Sequence, residues 1–157
     1  MSAAILIAFG VRLILVLLFL PLSALDKILN FRGAVAQARE VAPSAGLARL
    51  LILAGLTIEI GMSAAVLSGI ADRAAAAVLA AYCVATALLW KQFWRPGDFW
   101  RDPNGKARGL FWDFWKNLAL AGGFLLITFG TTAATVGDVL HAPLSSSRPY
   151  VASGARP

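Results

Sequence analysis

The chain predicts an all-α fold: an integral membrane four-helix bundle with a long cytoplasmic Trp-rich loop between helices three and four. Three observations carry this. The 157 residues are 59% hydrophobic and only 14% charged, with a mean hydropathy of +0.75. A soluble domain carries about 45–50% apolar and about 25% charged residues, and a soluble core of this size could not hide the excess. Four stretches approach the roughly 20 apolar residues that cross a bilayer. All five tryptophans fall between positions 90 and 115, the clustering expected at a membrane interface. Disorder, a disulfide scaffold and a typical nucleic-acid domain are excluded by the same composition. The single cysteine, Cys83, offers neither an internal disulfide nor a CxxC pair.

The first span covers residues 3–25, broken only by Arg12. It lacks a basic leading segment and an A-x-A site, so it is expected to be a retained helix and not a cleaved signal. The second span covers 47–70, broken by Glu59, and the third covers the uncharged stretch 74–90. Arg73, Trp90 and Lys91 are placed to anchor the ends of that short third span. The fourth covers 114–136, with Lys116 near its start. Between the first two, Phe31–Val41 reads as a short interfacial helix ahead of a Pro43-Ser44 stop. Residues 1–137 form the four-helix domain, and 138–157 read as a polar, disordered tail rich in Pro, Ser and Gly. Small residues at intervals of four mark expected packing stripes: Gly61, Ala65 and Gly69; Ala77, Ala81 and Ala85; Ala119 and Gly123. The same stripes would also suit a homo-oligomer face.

Charge placement sets an expected topology. Lys27, Arg32, Arg39 and Arg49 flank the first connection, and Lys91, Arg95, Arg101, Lys106, Arg108 and Lys116 flank the third. Only Arg73, Arg148 and Arg156 lie on the opposite side. The positive-inside rule puts both long loops in the cytoplasm and both termini outside, as expected for a multi-pass protein of the inner (plasma) membrane.

Arg12 and Glu59 are the two charges inside spans. Each costs about 2.5–3.5 kcal/mol at membrane depth on insertion scales, so intramembrane charges pair or serve a site. At about 1.5 Å per residue, Arg12 lies roughly 12 Å and Glu59 roughly 16 Å from the same side, which predicts an ion pair. Gly55 and Ser63, one turn either side of Glu59, leave room for a long arginine. Tyr82 and Thr128 fall about 12–14 Å deep by the same rise. One polar layer of Arg12, Glu59, Tyr82 and Thr128 is therefore expected, either fixing helix register or forming a ligand or proton site.

The third connection carries four Phe-Trp pairs interleaved with basic residues: Phe93-Trp94, Phe99-Trp100, Phe111-Trp112 and Phe114-Trp115. Such a segment lies among lipid headgroups, or caps an apolar cavity with room for a flat lipophilic molecule such as a quinone. Asp26, Lys27, Lys91, Trp94, Lys116 and Asn117 fall at the same end of the spans and are expected to edge a quinone- or lipid-accessible cleft. No catalytic constellation is visible. There is no GxGxxG or P-loop. His141 is the only histidine, so a haem or zinc site has no ligand set and no metal is expected. Ser23 and Ser63 have no histidine partner for nucleophilic catalysis.

The order of these pieces resembles the DoxX family of small four-helix membrane proteins over roughly residues 9–130. The matching pieces are Arg12-Leu13 opening a long apolar run, Leu25-Asp26-Lys27-Ile28 closing it, and Ile58-Glu59-Ile60-Gly61. The most specific is Lys116-Asn117-Leu118-Ala119-Leu120-Ala121-Gly122-Gly123. Lys91-Gln92-Phe93-Trp94 stands where many members carry a histidine before Phe-Trp, so a histidine proton relay is not carried over. The resemblance implies a subunit or accessory of a quinone- or thiol-linked redox system, with a soluble redox partner subunit. It implies no covalent cofactor and leaves quinone as the candidate small molecule. A free-standing quinone-linked oxidoreductase and an oligomeric transporter or channel are the alternatives. The expected partners are membrane lipids, with no role for nucleic acid.

Reporter fusions test the topology. A fusion at the C-terminus should be active only as a periplasmic reporter, and one inside residues 100–108 only as a cytoplasmic reporter; the opposite pattern reverses the assignment.

Overall fold

The computed structural model describes residues 2–151, and within them the chain is all-helical, with six helices. Four are long and apolar enough to cross a membrane: α1 (Ala3–Leu29), α3 (Ala45–Ser68), α4 (Asp72–Trp90) and α5 (Lys106–Phe129). Two short helices complete the set, α2 (Phe31–Ala38) and α6 (Ala133–His141). The protein is a multi-pass helical membrane bundle. Leu6, Ile7, Ile14, Leu53, Leu88 and Leu126 are among the many large apolar side chains on its outside, where lipid is the solvent.

The helix ends follow local chemistry. Ser44 caps α3 by accepting from the Leu47 N–H at 3.2 Å. Gly69 closes it in the left-handed region, at φ 76°. Gly130, at φ 67°, ends α5, and a capping box between Thr132 and Thr135 starts α6. Inside α1, residues Leu18–Ser23 widen into π-helix around Pro21. Proline supplies no N–H to the ladder, and the wider turn absorbs the missing bond.

The spans pack most extensively as α4 on α5, then α4 on α3. Val16, Phe19, Val66, Leu79, Cys83 and Phe124 form the heart of the core, with the Phe19 and Phe124 ring centroids 5.7 Å apart. A second, smaller core of Ala38, Ala42, Ala48 and Ile52 seats α2 against α3. The bundle thus has a long-loop end, carrying α2 and residues 91–105, and a terminal end, carrying α6 and the chain's described termini.

Several expectations change. The fourth span begins at Lys106 instead of 114 and stops at Phe129 instead of 136. Phe111, Trp112, Phe114 and Trp115 consequently lie on α5, and the connection shrinks to residues 91–105. The aromatic and basic residues there recur at helical spacing, which their polarity masks. The packing stripes are also rotated. A Cβ at Gly61 would meet nothing within 4 Å, Ala81, Ala85 and Ala119 are exposed, and Gly69 is a cap. The buried face of α4 is Ala75, Ala76, Leu79, Ala80, Cys83 and Ala87. Gly123 does meet α1, where a Cβ would lie 2.9 Å from the Leu15 side chain.

Of the tail, residues 138–151 are described and lie against the bundle; residues 152–157 lie outside the described region. Helix α6 occupies 133–141, and the segment after it returns to the bundle. The Ser147 N–H donates to Asp72 Oδ1 at 2.8 Å, and its hydroxyl donates to Asp72 Oδ2 at 2.5 Å. The Tyr150 hydroxyl donates to the Leu67 carbonyl, and Pro149 lies against Gly69. A fully buried aspartate needs this much compensation, and that need holds the polar tail in place. Ser147→Ala removes hydrogen bonds to a buried charge and should cost about 1.5–3 kcal/mol, read as a lowered denaturation midpoint in detergent.

Candidate functional site

Three donors from two helices converge on one oxygen of Glu59, which is 1% exposed in the middle of α3. Lys27 Nζ donates to its Oε1 at 2.5 Å, the Tyr82 hydroxyl at 2.8 Å and the Ser23 hydroxyl at 3.1 Å. Lys27 also donates to Ser23 Oγ at 2.7 Å. Ser23 and Lys27 lie one turn apart on α1; Ser23 ends the π-helical segment and Lys27 follows it, and the extra residue of that segment rotates the chain that follows. Tyr82 comes from α4 and passes over Gly55, where a Cβ would lie 3.0 Å from its hydroxyl. The room beside Glu59 is therefore filled by a tyrosine, not an arginine. Glu59 Oε2 is buried and has no hydrogen-bond partner among the described residues.

This cluster forms part of the wall of a cavity of about 480 Å³. Phe19, Ile52, Gly55, Ile58 and Leu89 supply apolar wall, Thr86 and Gln37 add polar groups, and Trp90, Lys91 and Asn117 stand toward the long-loop end. The volume lies within the range of small-molecule sites, which combine an apolar lining with a few placed polar groups. Among the described residues, no three His, Cys, Asp or Glu side chains gather in a metal-binding group.

The expected single polar layer is two separate clusters. Tyr82 joins Glu59, but Arg12 does not. Arg12 Nη2 lies 2.7 Å from Asp72 Oδ2, its Nη1 donates to the Val66 carbonyl at 2.7 Å, and its Nη2 donates to Ser147 Oγ at 2.7 Å. The depth argument assumed that the spans end level. Arg12 lies nine residues into α1 yet meets Val66, near the end of α3, so α1 projects beyond its neighbour at the terminal end. Thr128 also leaves the layer: its hydroxyl donates to the Arg73 carbonyl at 3.1 Å and the Phe124 carbonyl at 3.2 Å.

The expected cleft divides as well. Lys27, Lys91 and Asn117 line the cavity, whereas Asp26, Trp94 and Lys116 do not. Asp26 is exposed, Trp94 packs edge-on against Phe93 and Phe114, and the exposed Lys116 lies 3.7 Å from Asp113. Lys91 reaches Asp113 at 3.2 Å. Sequence reasoning missed Ser23, Asp72, Asp113 and Ser147. The Ser23/Lys27 spacing of four was a legible signal, because it places both groups on one helix face. Nothing comparable pointed to Ser147, whose partners lie 75 and 135 positions away.

No protein-family model matches the chain, and no curated protein or solved structure matches it. The chemistry is therefore argued from the site. A lysine ammonium, a tyrosine hydroxyl and a glutamate at one wall of an apolar cavity can hold a polar head group while its apolar body occupies the rest. Tyr82, Glu59 and Lys27 form one continuous hydrogen-bonded chain at that wall.

A double-mutant cycle reads the two-cluster arrangement directly. Tyr82→Phe and Glu59→Gln should couple by at least about 0.5 kcal/mol, whereas Arg12→Met and Glu59→Gln should add within about 0.5 kcal/mol. Unfolding free energy in detergent is the measurement. Strong coupling of Arg12 to Glu59 would restore the single layer.

Proposed function

We propose that the protein is a DoxX-like membrane subunit or accessory of a quinone- or thiol-linked redox system of the inner membrane, and that its cavity receives the head of a lipophilic quinone. The observation that carries this is the Lys27–Glu59–Tyr82 cluster on the wall of the 480 Å³ apolar cavity. A lone register-fixing ion pair needs no cavity beside it, and intramembrane charges mark functional sites when they face one. Lys27 serves as hydrogen-bond donor to a ring oxygen, and the side chains of Phe19 and Trp90 offer aromatic surface to the ring. The basic long-loop end, with Arg95, Arg101, Lys106 and Lys116, faces the cytoplasm in this reading. A soluble redox partner would meet the protein there. Electrons come from such a partner or from the quinone itself, because the chain supplies no cysteine pair.

Titration calorimetry of the purified protein with decylbenzoquinone and decylhydroquinone tests this reading. Saturable binding of at least one is expected, and it should weaken tenfold or more, about 1.4 kcal/mol, in Ala34→Phe, which fills the cavity from α2. Binding of neither, or uptake that only scales with detergent, overturns the reading.

A further inference from the structure

We infer that the cavity selects the reduced, hydroxyl-bearing form of its ligand over the oxidised form. This rests on the quinone reading above and specifies which redox state the site holds. The argument is a count of donors and acceptors. A lysine ammonium has three N–H donors, and Lys27 spends two of them, on Ser23 Oγ and Glu59 Oε1. One remains. Tyr82 spends its single O–H on Glu59 Oε1, leaving its oxygen free to accept. Glu59 Oε1 already accepts three bonds, but Oε2, buried, accepts none. The cluster therefore offers a ligand one donor and two acceptors, and one of those acceptors is half of a carboxylate.

A quinone carbonyl is an acceptor only. It satisfies Lys27 and leaves Glu59 Oε2 without a partner. A hydroquinone hydroxyl both accepts and donates, so it takes the remaining Lys27 N–H and donates to Oε2. Discrimination of this kind is asymmetric. A site built to bond a hydroxyl penalises the analogue lacking it far more than an apolar pocket penalises an added one, because its own buried polar group stays unpaired. The carboxylate turns as one unit about its last torsion, and the Lys27, Ser23 and Tyr82 donors fix Oε1. Oε2 therefore keeps its place, and the ligand hydroxyl must come to it from the cavity that Glu59 lines. The bound hydroquinone hydroxyl would then donate to Glu59 Oε2, which makes Glu59 the residue that positions the reduced ring at this site.

The test compares the two redox forms directly. Decylhydroquinone and decylbenzoquinone, which share one ring and one tail, are titrated anaerobically into the purified protein by calorimetry, with 1-decylglycerol as a flexible lipid-type alcohol. Decylhydroquinone should bind at least tenfold tighter than decylbenzoquinone, and tighter than the glycerol ether. In Glu59→Gln the hydroquinone preference should shrink to less than threefold. Because that variant leaves Lys27 without its counter-ion, Lys27→Met with Glu59→Gln provides a charge-neutral version, and the comparison on the unaltered protein stands whether or not either variant folds. Equal binding of hydroquinone and quinone overturns the selection while leaving a quinone site intact. Tighter binding of 1-decylglycerol overturns it by assigning the carboxylate to a lipid alcohol. Binding of none of these ligands removes the quinone reading and the selection together.

Discussion

A carboxylate inside a bilayer must be compensated where it stands, because lipid offers it no hydrogen bonds and little dielectric screening. This chain buries two, Glu59 and Asp72, at 1% and 0% exposure. Much of the remaining polar architecture answers to them. Glu59 draws Lys27 inward along α1 and Tyr82 across from α4. Asp72 draws Arg12 and the polar segment around Ser147. Each cluster ties together elements that apolar packing alone would leave free to slide, since apolar side chains gain little from one another over lipid. Between the clusters, Val16, Phe19, Leu79 and Phe124 form a tightly buried core.

The two clusters differ in how completely they are satisfied. Both oxygens of Asp72 are bonded, by Arg12 and twice by Ser147. Glu59 concentrates all its donors on one oxygen beside a cavity. A saturated pair specifies structure, whereas an unsaturated one next to accessible space leaves capacity for a ligand. That contrast separates the structural ion pair from the proposed site more sharply than depth or residue type does.

Much of the fold was legible in the sequence because hydropathy dominates it. The four spans follow from where apolar residues run uninterrupted, and the short helix after the first was read from the stretch that precedes Pro43-Ser44. The site was legible in part. Glu59 and Tyr82 stood out as polar groups at depth, and Lys27 as a cation at a span end, yet Lys27 was assigned to a mouth and Arg12 to the glutamate. The error came from treating span ends as coplanar. A lysine four carbons long can reach far up a helix face, and α1 extends past α3 at the terminal end. The π turn at Leu18–Ser23 adds a phase shift that a straight 3.6-residue period does not contain. Asp72 and Ser147 were out of reach because their contacts join residues distant in the chain, which no periodicity encodes.

The return of the segment around Ser147 to Asp72 carries a consequence for biogenesis. A chain made from its N-terminus inserts α1 and α3 before α4, so Arg12 waits in the membrane until Asp72 emerges. The Arg12–Asp72 bond can then close early, but the two bonds from Ser147 form only once α6 and the segment after it have been made. Until then Arg12 is the sole partner that Asp72 can have among these three. Insertion of the spans and full compensation of this carboxylate are therefore separate events, ordered by the chain's own direction of synthesis.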